Sequence, residues 1–172
     1  MSTALIRHGR TRWNAERRLQ GRADLPLDEE GRGQALAAAA ALRGGGWNRV
    51  VCSPLRRASR TAEIVAEKLG LPAPELEPLL LERDYGAAEG VPVDEAEVRW
   101  PDGAYPGGES PAELARRSGP ALARLATPGT VLVGHGAFLR SGVAALTGHP
   151  FPRIANGEVV IVETAGGGFR VR

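Results

Sequence analysis

Apolar residues in this chain come in short runs separated by polar, alanine-rich or proline-rich stretches. "TALIR" (Thr3 to Arg7), "RVVCS" (Arg49 to Ser53), "TVLVGH" (Thr130 to His135) and "EVVIVET" (Glu158 to Thr164) are short, apolar runs, three of them rich in valine, and each predicts a strand. "GQALAAAAALR" (Gly33 to Arg43) is built of strong helix formers, with Asp28 available as a cap before it and "GGG" (Gly44 to Gly46) to end it. A second helix is expected to enter at Pro54, run to about Leu69 and stop at Gly70. A third spans "PAELARRSGPALARL" (Pro111 to Leu125), with a bend expected at Gly119-Pro120. "GAFLRSGVAALTG" (Gly136 to Gly148) gives a fourth helix, and "GFRVR" a short edge strand at the end of the chain. The polar segment up to about Leu27 and the Pro- and Gly-rich stretch from Leu71 to Pro111 read as loop. A loop as long as the latter is usually a working part of its domain.

Strand and helix alternate throughout, with no linker and no repeat. This predicts an α/β fold: a three-layer α/β/α sandwich with a mostly parallel central sheet and helices on both faces. The 172 residues suit one domain with a sizeable core, so residues 1–172 are expected to form a single domain.

Composition narrows the function more than the fold. A net charge of +2 gives no case for a nucleic-acid partner, and no apolar run is long enough to span a membrane. No leader-like segment opens the chain. The single cysteine, Cys52, excludes an internal disulfide or a cysteine metal cluster and fits a cytoplasmic setting; it reads as a small buried strand residue. Lys68 is the only lysine, so nearly all positive charge is arginine, which grips oxyanions through several donors.

The candidate chemistry lies at two strand ends. The chain has three histidines. Two of them, His8 in "ALIRHGRTRWN" and His135 in "VLVGHGAFLR", directly follow an apolar run and precede a glycine. In open α/β sheets, ligands bind beyond the carboxyl ends of the strands, so His8 and His135 are expected to face one crevice. The glycines would allow close backbone approach to a ligand, and the helix opened by Gly136 would favour an anion at its N-terminus. Arg7, Arg12, Asn14, Arg56 and Arg57, the last two in "CSPLRRASRTA", belong to the same edge. For Arg57, as for Arg60, solvated helix surface is the preferred reading. Several arginines around two imidazoles suit a phosphate dianion, and a neutral imidazole can attack phosphorus. Leaving oxygens need a proton. "LLERDYGAAEG" supplies Glu82, Asp84 and Glu89 as candidate general acids. Asp84 is expected to brace an arginine. A metal site built from His8, His135 and Glu82 is disfavoured by the surrounding cations. His149 lies beyond a helix end and reads as a solvated terminus. Trp13 and Trp100 fit either the mouth of the site or aromatic packing.

Together these segments resemble the histidine phosphatase superfamily, also called the phosphoglycerate mutase-like family. "RHGRTRWN" is similar to its signature, "CSPLRRASRTA" to its second motif, "ERDYGAAEG" to its acid loop, "PGGES" to its third-helix entry and "VGHG" to its second histidine motif. The resemblance covers nearly the whole chain in the expected order. It implies that His8 is the nucleophile, that Arg7, Arg56 and His135 hold the phosphoryl oxygens, and that Glu82 is the acid. Asn14, Thr11, Arg12 and Gly136 are carried over to the phosphate pocket, and no metal or organic cofactor is implied. A mutase of this family is longer and closes a basic insertion over its substrate. Here "VPVDEAEVRWPDGAYPGGES" is short and holds one basic residue, Arg99, which suits hydrolysis of a small phosphorylated metabolite. α-Ribazole 5′-phosphate, an intermediate of cobalamin assembly, or a broad range of monoesters ranks first. A cofactor-dependent phosphoglycerate mutase is the alternative, and an inactive binding or regulatory module the reading of another class. The edge at "GFRVR" offers a surface through which two copies could pair as a homodimer.

Overall fold

The computed structural model describes residues 2–165 and 168–171. Its centre is a six-stranded sheet made of β1 (Ser2–Arg7), β2 (Arg49–Cys52), β3 (Glu75–Leu76), β4 (Thr130–Gly134), β5 (Val159–Ala165) and β6 (Gly168–Val171), in the order β3-β2-β4-β1-β5-β6. The first four strands in that order run parallel, and β5 and β6 are antiparallel to their neighbours. The sheet is therefore mixed: parallel where the histidines emerge and antiparallel at one edge. β6 forms the edge expected of "GFRVR", whose last residue lies outside the described residues.

Helices cover both faces. They are α1 (Arg12–Ala15), α2 (Glu29–Ala41), α3 (Arg56–Leu69), α4 (Val93–Arg99), α5 (Pro111–Leu125) and α6 (Gly136–Thr147). The strand alternation sorts the core into two layers. Ala4 and Ile6 of β1 pack with Ala38, Ala62 and Val65 under α2 and α3. Leu5, between them, joins Leu122, Phe138 and Leu139 under α5 and α6. Burial of one such large side chain contributes about 1.5–3 kcal/mol.

Several boundaries differ from expectation. Helix α2 starts at Glu29 because the Asp28 carboxylate accepts the Gly31 N–H at 2.8 Å and caps the helix directly. Helix α3 starts at Arg56, after Pro54 and an N-cap at Leu55. Helix α5 continues through Pro120, which lies on its exposed face together with Arg116, where water can satisfy the carbonyl the proline leaves without a donor. The 71–111 stretch is more structured than a loop. It contains β3, single 3₁₀ turns at Pro78–Leu80 and Gly86–Ala88, and α4.

Candidate active site

Strands β1 and β4 are parallel neighbours with Arg7 opposite Gly134, so the residues that follow them, His8 and His135, leave the sheet side by side. Their rings stand edge to face with centroids 5.1 Å apart, and both side chains are buried. His8 Nδ1 lies 2.7 Å from the Gly9 carbonyl oxygen. A carbonyl only accepts, so Nδ1 carries the hydrogen and Nε2 holds the lone pair. That lone pair accepts the Nε–H of Arg57 at 3.2 Å. Burial first, then the charges of Arg57 and Arg7, hold the His8 pKa well below the ordinary histidine value. Burial and the Arg57 charge do the same to His135. Both imidazoles are neutral at neutral pH.

Arg57, not Arg56, is the arginine that α3 brings to His8. The helix begins at Arg56, whose side chain is exposed and whose backbone N–H goes to Asp24 at 2.7 Å. One residue further turns the next side chain about 100° around the helix. Arg57 is fully buried, and besides His8 it donates to the carbonyls of Ala23 (2.7 Å) and Gly21 (2.6 Å). Burial lowers its pKa to about 10, which leaves it cationic at neutral pH. Its reading as solvated surface is overturned. Two other expected pocket residues also lie elsewhere. The Arg12 side chain is 82% exposed and paired with Glu16 on the outer face of α1. Thr11 is buried and caps α1, its hydroxyl held by Asn14 and Gln20.

Glu82 is 7% exposed, and the Arg83 guanidinium turns away from it to the carbonyls of Glu109 and Gly103. Its Oε1 accepts from the N–H groups of Arg83 (2.8 Å) and Phe138 (2.9 Å), and Oε2 from Ala137 (3.0 Å). The anion expected at the α6 N-terminus is thus a side chain of the protein itself, and one acceptor position of Oε2 stays open. The loop carrying Glu82 is clamped from α5. Arg117 donates to the carbonyls of Leu81 and Glu82, both at 2.9 Å, while Glu109 of "PGGES" grips the same guanidinium at 2.6 Å. Asp84 caps Gly86 and lies near Arg22, and Glu89 accepts the Arg22 N–H.

Arg7, His8, Arg57 and Glu82 line one open cavity of about 350 Å³. Among the described residues, three buried side-chain polar atoms have no hydrogen-bond partner: Arg7 Nε, Gln20 Nε2 and His135 Nδ1. Arg7 and Gln20 line the cavity, and His135 stands against His8 beside it. All three are nitrogens, and buried polar atoms are rarely left unsatisfied. Together they describe a socket for the oxygens of an anion. Asn14 also lines it. The Asn14 amide oxygen is taken by Thr11 and Asn156, which leaves its NH₂ group for a ligand. Gln20 lies in a polar segment with no periodicity, so nothing in the sequence distinguished it.

The two glycines have roles other than ligand approach. A Cβ on Gly9 would come within 2.2 Å of the Gly31 carbonyl, so this glycine lets the first turn of α2 pack on the loop. A Cβ on Gly136 would come within 3.2 Å of Arg7 Nε, so this glycine leaves room for the guanidinium. Trp13 and Trp100 do not line the cavity; Trp100 instead packs edge to face on Tyr105, which does, with ring centroids 5.6 Å apart.

Residues 3–172 match the profile of the histidine phosphatase superfamily, branch 1, and the chain belongs to that family. It is an enzyme of the phosphatase and mutase kind. It is 40% identical over 151 residues to the uncharacterized phosphatase PhoE of Bacillus subtilis, covering 86% of this chain and 78% of that one. It is also 40% identical over 161 residues to the protein named probable phosphoglycerate mutase GpmB of Cronobacter sakazakii, covering 85% and 74%. Among solved structures, a mycobacterial glucosyl-3-phosphoglycerate phosphatase in complex with VO3 superposes with a TM-score of 0.88 at 29% identity, over 99% of this chain and 96% of that one. An Escherichia coli K-12 protein assigned provisionally as an alpha-ribazole-5'-P phosphatase gives 0.87 at 26% identity, over 100% and 94%.

Proposed function

We propose that this chain is a phosphomonoesterase that hydrolyses a small phosphorylated metabolite in the cytoplasm, through a phosphohistidine on His8 and without a metal. The observation that carries this reading is the set of three partnerless nitrogens around a neutral, tautomer-locked imidazole. A phosphoryl group seated there would take hydrogen bonds from Arg7, Gln20, Asn14 and His135. Arg57 would move its Nε–H from His8 Nε2 to a phosphoryl oxygen and so release the lone pair.

His8 Nε2 then forms the bond to phosphorus as the ester P–O bond breaks, and Glu82, having taken up a proton at the open position of Oε2, passes it to the leaving oxygen. In the second half, the Glu82 carboxylate takes a proton from water. The water oxygen bonds to phosphorus, the P–N bond breaks, and His8 returns with its lone pair. Arg7 and Arg57 face the equatorial oxygens, where charge is greatest in the transition state. The anchoring of Glu82 to α6 keeps the acid at a fixed distance from the histidine pair.

A phosphoglycerate mutase is the second reading, favoured by the likeness to GpmB. Hydrolysis ranks above it because the wall after the acid loop is only the short α4 and the turn that follows, leaving the cavity open to the water that a mutase must exclude. α-Ribazole 5′-phosphate is one candidate substrate, in line with the provisional assignment of the Escherichia coli relative.

The test is phosphate release, with chelator present, from p-nitrophenyl phosphate, α-ribazole 5′-phosphate, phosphoserine and 3-phosphoglycerate, alongside an assay for 2-phosphoglycerate. Metal-independent release that disappears in His8→Ala is expected. Phosphoglycerate interconversion well above hydrolysis would make the enzyme a mutase.

A further inference from the structure

A phosphoryl dianion is matched at the buried floor of the cavity by two cations, Arg7 and Arg57. The mouth carries further positive charge. Three of its arginines are engaged within the protein. Arg17 pairs with Asp94, and Arg18 with Glu16. Arg83 donates to the carbonyls of Glu109 and Gly103 and lies over the rings of Tyr85 and Tyr105. Two others are not. Arg140 and Arg153 line the cavity and are exposed, and their side chains make no hydrogen bond or ion pair among the described residues. Arg140 lies one turn along α6 from Gly136, on the helix face that borders the phosphoryl socket. The charge of Arg153 reaches Arg7, and that of Arg140 reaches Tyr85 in the cavity wall. Besides the paired Asp94 and Glu16, the carboxylate set against them among the described lining residues of the mouth is Glu97 on α4.

We propose that Arg140 and Arg153 form a second anion subsite, so that the preferred substrate is a phosphomonoester whose leaving group carries its own negative charge. Its place in the cavity as a leaving-group site rests on the phosphomonoesterase reading above. The Arg153 charge opposes that of Arg7, and Arg140 lines the same mouth without a partner; a carboxylate or second phosphate there would offset the excess positive charge while filling the donor forks. Glu97 sets a limit on where the negative group can lie. An uncharged leaving group, such as that of α-ribazole 5′-phosphate, lacks this contact.

Non-hydrolysable ligands test the subsite without turnover. Calorimetry would compare phosphonopropionate, which has a carboxylate tail, and propane bisphosphonate, which has a second phosphonate, with butylphosphonate, whose tail is neutral. Tighter binding of a charged-tail ligand is expected, and the better of the two identifies the group. Arg140→Gln and Arg153→Gln should each weaken that ligand about fivefold and leave butylphosphonate unchanged. Equal affinity for all three ligands, equal losses for charged and neutral tails, or binding of none of them would overturn the proposal. The hydrolytic reading fails separately, if the unaltered enzyme releases no phosphate from p-nitrophenyl phosphate while the charged-tail preference persists.

Discussion

The Ser53 hydroxyl lies 2.8 Å from Nε2 of His135, at the opposite side of the ring from the partnerless Nδ1. Ser53 also faces the Leu55 N–H at 3.4 Å. A hydroxyl that accepts from Leu55 and donates to Nε2 leaves the imidazole hydrogen on Nδ1, where a phosphoryl oxygen can use it. Ser53→Ala is therefore expected to lower kcat/KM about tenfold, the worth of one charge-assisted bond, with little change in thermal midpoint, and Ser53→Thr to restore it. Nitrogen chemical shifts of His135 should show mixed tautomers in the alanine variant; a single unchanged tautomer there would remove the role given to Ser53.

The neighbouring arginines of α3 are expected to behave oppositely. Arg57→Ala should cost about 10²–10³ in kcat, as for loss of one donor to transition-state charge. Arg56→Ala should change it by less than about twofold, because an exposed side chain without an ionic partner contributes little. Steady-state kinetics of the two variants decide between the positions, and a larger loss at Arg56 would contradict the placement of α3.

Glu82→Gln keeps the two backbone bonds accepted at Oε1, loses the one that Oε2 accepts from Ala137 because an amide NH₂ only donates, and cannot supply the proton. Turnover of alkyl phosphates should fall about 10²–10⁴-fold, and turnover of p-nitrophenyl phosphate much less, since its leaving group needs no proton. Equal losses across leaving groups would assign Glu82 to binding instead.

Burial of two neutral histidines makes stability depend on pH. In the folded protein His8 and His135 bind protons only well below the usual histidine range, whereas the unfolded chain binds them near pH 6.5. Below about that pH the unfolded state holds more protons, so the stability contribution of the neutral pair is present above it and is lost as the pH falls. Thermal midpoints measured from pH 7.5 to 5 should drop, and His135→Gln should flatten the slope. An identical slope in that variant would show that other groups govern the acid limb.

Much of this site could be read from the order of residues. His8 and His135 were placed together because each ends an apolar run, and adjacent parallel strands bring such ends to one edge. The loop offers three carboxylates, and the choice of Glu82 among them rests on its position in the motif that resembles the family's acid loop. The choice between Arg56 and Arg57 was out of reach for a physical reason: one residue in the start of α3 decides which side chain faces inward, and Pro54 and Leu55 allow either start. Strand direction was also illegible, since "EVVIVET" alternates the same way in parallel and antiparallel sheets. In the 71–111 stretch, β3 is two exposed residues and α4 buries only Ala96, so neither leaves a hydrophobic signature. Gln20 gave none either.

The Glu82 carboxylate and the His135 ring both ride on the first turn of α6, while the outer wall is formed by α4 and the turn reaching Tyr105. Apart from Arg140 and Arg153, the outer wall of the mouth is therefore inherited on a different stretch of chain from the reacting atoms. Insertions or exchanges between Val91 and Pro106 can re-cut the mouth for a new metabolite while the nucleophile and its acid keep their spacing, a division of labour that lets one reaction diversify over many substrates.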